Sequence, residues 1–140
     1  MAAGLDRFVA AQDGCYATAL AELRAGAKQS HWMWFVFPQL VGLGRSATAQ
    51  VYGLADLDAA RAYLAHPLLR GRLEECADAM LSWSGRRTAQ AMLGAIDAKK
   101  FGRSMTLFEA AGGSPCFAAA IDAFHAGVRD SRTMALIGGR

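Results

Sequence analysis

The chain has 140 residues, of which 54% are hydrophobic and 19% charged, a balance that excludes a disordered chain and fits one domain over residues 1–140. The net charge of +3 comes from basic residues scattered along the sequence, so nucleic acid is not an expected partner. No run of about 18 apolar residues is present, so we expect no membrane span.

Apolar spacing and glycine stops mark the first helices. Residues 5–12 are predicted to form a short helix and residues 15–25 a stronger one that ends at Gly26. The aromatic segment, HWMWFVFPQL at residues 31–40, follows and holds two of the three tryptophans. Because a proline disfavours a helical residue before it, we expect residues 32–37 to be extended or a short irregular turn, and to lie buried.

Cap residues mark the later helices. Ser46 is predicted to begin a helix over residues 47–52, and Asp56 one over residues 57–65. Pro67 then opens a longer helix with an apolar stripe. Further helix starts are predicted at Thr88, Asp97, Ser114 and Asp130.

The stretch around Gly102 is the least regular of these predicted helices. A helix from Asp97 to Lys100 is weakened by Gly102, and a buried helical stretch ending near Ala111 follows. The sum is an all-α, compact single domain of about eight or nine short helices around one core, with a buried irregular aromatic segment.

The cysteines bear on the cellular compartment and on metal binding. Cys15, Cys76 and Cys116 lie far apart, and none has a histidine at metal-ligand spacing beside it. An odd, scattered set indicates reduced thiols in a cytoplasm. We therefore predict a cytoplasmic protein without a metal site or a cofactor.

A glycine-rich turn, GLGRS at residues 42–46, is a candidate anion site. It leads into a predicted helix N-terminus, where free N–H groups and a partial positive charge suit an anion, and Arg45 and Ser46 would add to both. The turn matches neither a P-loop nor a dinucleotide fingerprint. The alternative is a tight turn in which Ser46 only caps the helix.

The aromatic segment supplies four more candidates: His31, Trp32, Trp34 and Gln39. His31 could serve as an acid–base group, and one of the two tryptophans could stack a planar ring such as a nucleobase. In an extended segment the two indoles would point to opposite sides, so one of them would pack inside. The alternative is that the segment only fills the core and that His31 is held by one hydrogen bond in a half-buried loop.

A third group of candidates mixes charge, hydroxyls and large apolar residues. Lys99, Ser104 and Thr106 could hold a phosphate or a carboxylate. The alternative is a solvated helix entrance with local caps. His66 and Arg70 complete the candidate set. The alternative for His66, which precedes Pro67, is a residue that only marks a helix boundary. His125 is expected to be exposed.

Three runs of residues resemble one known family. They are KQSHWMWFVFPQLVGLG at residues 28–44, RAYLAHPLLRGRL at residues 61–73 and SMTLF at residues 104–108. The chain is similar over nearly its whole length to a family of bacterial proteins, the domain of unknown function eighteen-ten. The resemblance implies a compact, mainly α-helical domain whose fold is shared with a mycobacterial conserved hypothetical protein, and it implies no activity.

Two details of that resemblance bear on function. Members are sometimes labelled calpastatin, but calpastatin inhibitor segments are disordered, whereas this composition predicts a buried core. Related chains read KLRSSMTLF where Phe-Gly-Arg-Ser follows Lys100 here, and the glycine adds local flexibility.

Two hypotheses about function follow. In the first, the three candidate segments share one cleft that binds a small anionic ligand such as a nucleotide derivative and could turn it over. In the second, they are core and scaffold of a non-catalytic module that binds a protein partner.

Overall fold

The structure, a computed structural model, describes residues 4–138 and confirms the all-α class. In chain order its helices are α1 (Asp6–Asp13), α2 (Tyr16–Ala25), α3 (Met33–Val36), α4 (Ala47–Tyr52), α5 (Leu57–Ala65), α6 (Pro67–Leu81), α7 (Ala89–Leu93), α8 (Ala95–Ala110), α9 (Pro115–Phe124) and α10 (Ser131–Gly138). A turn of 3-10 helix covers Val41–Leu43. None of the helices within residues 4–138 has the length and apolar character needed to cross a membrane.

The predicted caps explain where several helices begin. In α4, α5, α7 and α10 a side-chain oxygen of the residue before the helix accepts a hydrogen bond from a backbone N–H of the first turn, over 2.8–3.1 Å. The four residues are Ser46, Asp56, Thr88 and Asp130. Each removes one of the unpaired donors that a helix N-terminus leaves. Ser114, by contrast, directs its hydroxyl to Glu74 rather than to α9.

Helix α8 runs without a break through Gly102, so the predicted weakening at that residue is wrong. The reason is tertiary packing: a Cβ at position 102 would lie 2.9 Å from two ring atoms of His125. The glycine therefore lets the ring approach the helix backbone. Asp97 is not the cap of α8 either, because it lies in the first turn and pairs with Lys28 and Lys100.

The aromatic segment forms one helical turn, α3, where we expected extended or irregular backbone. The carboxylate of Glu22 on α2 holds the chain just before it. This carboxylate accepts hydrogen bonds from Gln29 N (2.8 Å), Ser30 N (3.0 Å), Ser30 Oγ (2.6 Å) and Trp32 Nε1 (2.9 Å). Partial burial acts to raise the pKa of Glu22, but these hydrogen bonds outweigh it and lower the pKa to about 2.

Helix α8 is the centre of the core. It packs against α5, α7, α9 and α10. A row of rings crosses this core from the aromatic segment to α9, with centroids 6.4 Å apart for Trp32 and Phe37, 4.9 Å for Phe37 and Phe101, and 6.3 Å for Phe101 and His125. Such spacings are those of packed aromatic pairs.

Candidate functional site

The structure does not bring the predicted candidates together in one cleft. Trp32 and Ser104 have no exposed surface and Thr106 is 1% exposed, so these three side chains face the core and cannot line an open pocket. His31 and Arg45 are exposed. Ser104 is buried because it lies on the side of α8 that packs against the core.

Two of the three segments do meet, at a mixed cluster of charges and indole rings. Lys100 Nζ lies 3.7 Å from the centroid of the half-buried Trp34 ring and 3.3 Å from Asp97 Oδ1. Lys28 Nζ approaches the other carboxylate oxygen of Asp97 at 2.9 Å. The lysines are thus already paired, and the cluster fastens the aromatic segment to α8.

The remaining candidates take local structural positions. Ser46 caps α4, and His66 Nδ1 accepts a hydrogen bond from Leu69 N (3.3 Å) at the start of α6. Arg70 is exposed on α6. Gln39 is 4% exposed, and its Oε1 has no hydrogen-bond partner among the described residues.

A cavity of about 280 Å³ lies between α8, the turn after α9 and the start of α10. We call it the α8–α10 cavity. It is lined by Lys99, Gly102, His125, Val128, Arg129, Asp130 and Ser131. Lys99 is the candidate from the sequence that lines it. Lys99 and Gly102 lie three residues apart on one face of α8, which forms the floor.

His125 forms one wall of this cavity and is half-buried, which corrects the expectation of an exposed residue. Its Nε2 is buried without a hydrogen-bond partner in the described part of the chain. Burial lowers the pKa of His125, and the charge of Asp130 and the backbone of Ala98 oppose that effect only in part. The ring is therefore neutral at neutral pH.

The charges around the α8–α10 cavity differ in how firmly they are engaged. Arg129 is fixed, because its Nε lies 2.8 Å from Glu109 Oε1 and its Nη1 lies 2.9 Å from the carbonyl of Gly127. Asp130 Oδ2 caps α10, and its Oδ1 lies 3.9 Å from Arg103 Nε. Lys99 is exposed and forms no ion pair with any residue in the 4–138 range. It is the cation of this cavity that a ligand can reach without displacing a partner.

Most of this cavity was not predicted from the sequence. His125 was set aside, and the loop that follows it was given no role. The signal that could have found it is the composition of residues 125–131, HAGVRDS, which puts a histidine, a glycine turn, two opposite charges and a hydroxyl between two helices.

A second, larger cleft of about 470 Å³ runs beside α5 and is mainly apolar. The arginine that lines it is engaged: Arg7 Nε donates to the carbonyl of Val51 (2.6 Å), and Arg7 Nη2 donates to the carbonyl of Gly53 (3.0 Å). It therefore offers less to an anion than the α8–α10 cavity does.

The thiols do not form a reactive centre. Burial raises the pKa of Cys76 to about 12 and that of Cys116 to about 11, so both stay protonated at neutral pH. No group of three or more side chains suited to a metal ion occurs in the described stretch, residues 4–138.

Comparisons with known proteins identify relatives without an assigned activity. A family model described as "Protein of unknown function (DUF1810)" matches residues 2–137. The chain is similar in structure to the conserved hypothetical protein Rv1873 from Mycobacterium tuberculosis, with a TM-score of 0.92 and 44% sequence identity over 96% of each chain. No curated protein matches the chain.

Proposed function

The chain belongs to the family of proteins of unknown function DUF1810, and from its geometry we propose that it binds a small anionic ligand in the α8–α10 cavity. One observation carries the proposal: a free, exposed lysine and a half-buried histidine with an unpartnered Nε2 line the same cavity. Buried polar atoms in folded proteins are nearly always hydrogen-bonded, so an unpartnered one beside a cavity indicates a missing partner.

The volume of the cavity limits the size of the ligand. Drug-sized ligands occupy pockets of roughly 300–1,000 Å³, and this cavity of about 280 Å³ lies just below that range. It fits a phosphate or carboxylate group with a small substituent. A nucleotide derivative would place its anionic end here and leave its base outside.

Each polar group has a separate task in this proposal. Lys99 supplies the charge, and the Ser131 hydroxyl supplies a hydrogen bond at the rim. An arriving anion favours the protonated form of His125. Its Nε2 is buried against Gly102, so the ring turns towards the cavity before the Nε2–H can donate to the anion. Binding would therefore be accompanied by uptake of a proton, and affinity for an anion that does not itself titrate, such as sulfate, would rise as the pH falls from 8 to 6.

The free thiols bear on the cellular compartment of the protein. All three cysteines are free, and we propose a reducing, cytoplasmic setting for the protein. The ligand is then a soluble cytoplasmic anion. The same site could also turn the ligand over, since a histidine that takes up a proton when the anion binds can pass that proton to the ligand.

The test is a titration of the purified protein with inorganic phosphate, sulfate, sugar phosphates and nucleotides, followed by calorimetry. Lys99→Ala is expected to weaken anion binding by roughly tenfold or more, since hydrogen bonds to charged groups contribute about 1.5–3 kcal/mol. The matched control is Arg70→Ala, which removes an exposed cation on α6 and should leave binding unchanged.

Two outcomes would count against the proposal. Equal losses from Lys99→Ala and Arg70→Ala would show general charge attraction rather than a site. Absence of binding by any anion in the panel would leave the non-catalytic interaction module as the better hypothesis, with the apolar cleft beside α5 as its surface.

A further inference from the structure

We propose that the anion bound in the α8–α10 cavity carries an apolar group next to its charge, so that the ligand class is a small phosphate or carboxylate with an apolar substituent. This inference rests on the proposed function and adds the second half of the ligand. Its source is Val128, which lines the cavity with 70% of its surface exposed. Valine is among the residues most often fully buried.

The turn that presents Val128 is strained. Ala126 has φ of 52°, and it is the one non-glycine residue between positions 4 and 138 with a positive φ. A left-handed conformation costs an alanine about 1 kcal/mol and persists only where the surroundings impose it. Here Gly127 N donates to the carbonyl of Ile121 (3.2 Å), and Val128 N donates to the carbonyl of His125 (2.9 Å).

The residue after Val128 fixes the other side of the turn. The Arg129 guanidinium is held by Glu109 and by the carbonyl of Gly127. The valine is thus held on both sides by anchored neighbours. Its exposure is set by the backbone rather than by a free rotation of the loop.

A second exposed apolar side chain lies on the helix that carries Lys99. Ile96 is 73% exposed and precedes Lys99 by three residues on α8, which puts both on one helix face. Single exposed apolar residues are common on protein surfaces. These two apolar residues differ from scattered ones because both lie near Lys99, the free cation. Ile96 precedes Lys99 on the same face of α8, and Val128 lines the same cavity as Lys99.

The experiment compares methyl phosphate with propyl phosphate by calorimetry. Burial of a methylene group is expected to raise affinity about fourfold. Propyl phosphate has two more methylenes than methyl phosphate, so we expect it to bind about four- to fifteenfold more tightly, according to how much of the chain is covered. Val128→Asn should abolish this preference and leave the affinity for methyl phosphate within about twofold.

A matched control is Val51→Asn, which changes a valine that is 53% exposed on α4, outside the cavity lining. It should keep the preference for propyl phosphate. Circular dichroism and thermal unfolding check that both variants fold. A further arm uses phosphatidylcholine vesicles with and without phosphatidic acid, where retention that depends on Val128 would assign the same chemistry to a lipid.

The outcomes separate this inference from the proposed function. Equal affinity for the two phosphates, with a loss in Lys99→Ala, would overturn the apolar group and keep the anion site. A preference that survives Val128→Asn would also overturn it. Failure of both phosphates and of the vesicles to bind, while another anion of the panel binds in a way that depends on Lys99, would overturn this inference alone. Failure of every anion to bind would overturn both proposals.

Discussion

Glu22 and His125 are both half-buried ionisable side chains, yet their surroundings are opposite. Four donors converge on the Glu22 carboxylate, whereas the Nε2 of His125 has no partner in the described structure. The first region satisfies its polar groups within the chain, as a structural site does. The second leaves an atom unsatisfied beside a cavity and a free lysine, and the proposed anion site is based on that observation.

Removal of the Glu22 carboxylate is the largest expected effect. Glu22→Ala leaves the donors of Gln29, Ser30 and Trp32 without their acceptor, and we expect a loss of roughly 3 kcal/mol in the free energy of unfolding. Urea unfolding at pH 7 measures it. Asp58→Ala, at an exposed pair with Arg61, should cost less than about 1 kcal/mol. A similar small loss in both variants would contradict the view of Glu22 as a structural centre.

The same carboxylate gives a stability that depends on pH. The pKa of Glu22 is about 2 in the folded chain against an ordinary value of 4.5, so its contribution is present above about pH 4.5 and is lost as the pH falls towards 2. In Glu22→Gln this part of the pH dependence should vanish, and the difference in stability from the natural chain should shrink between pH 7 and pH 2.5. A constant difference across that range would exclude an ionised Glu22 as the cause.

Substitution of two glycines, one of them beside His125, tests the region of the α8–α10 cavity. Gly71 and Gly102 both lie inside helices, but a Cβ at position 71 meets open space, while one at position 102 meets the His125 ring. Gly71→Ala should stabilise the chain by about 0.5–1 kcal/mol. The free energy of unfolding of Gly102→Ala should be at least about 1 kcal/mol lower than that of Gly71→Ala, because the His125 ring must shift. For the same reason Gly102→Ala should weaken anion binding.

The measurement for this pair is thermal unfolding together with the phosphate titration. Equal stabilisation by the two substitutions, with binding intact, would mean that Gly102 does not set the position of the ring.

The smallest effect is expected at the strained turn. Ala126→Gly relieves a left-handed alanine at the residue position where helices commonly end in glycine, and it should stabilise the chain by about 1 kcal/mol or slightly less. Urea unfolding measures the gain. If the turn serves to hold Val128 in place, the added freedom of the glycine should also reduce the preference for propyl over methyl phosphate. A destabilised variant would refute the assignment of strain.

Much of the fold follows from local rules that the sequence carries openly. Ser46, Asp56, Thr88 and Asp130 could be identified as caps because a cap depends on residues within three positions of it. Gly102 was misread because its role depends on His125, which lies 23 residues away in the chain. Local propensity gave a weak helix there, and packing overrode it.

The candidate site was harder to predict for the same reason. Ser104 and Thr106 are polar residues in an apolar context, and the sequence alone does not say which side of α8 each one faces. Lys99 was identified by its charge, but its partners in the cavity come from the turn after α9, whose geometry depends on Ala126 and on the ion pair of Arg129 with Glu109.

The row of rings from Trp32 to His125 connects the aromatic segment to the α8–α10 cavity, although no residue of that segment lines the cavity. Phe37 packs on Phe101, and Phe101 packs on the histidine ring. If the proposed anion binds, the volume of Phe37 would limit how far the imidazole can move away from it. The aromatic segment would then affect the proposed site without contacting the ligand, because its Phe37 is separated from His125 by the Phe101 ring.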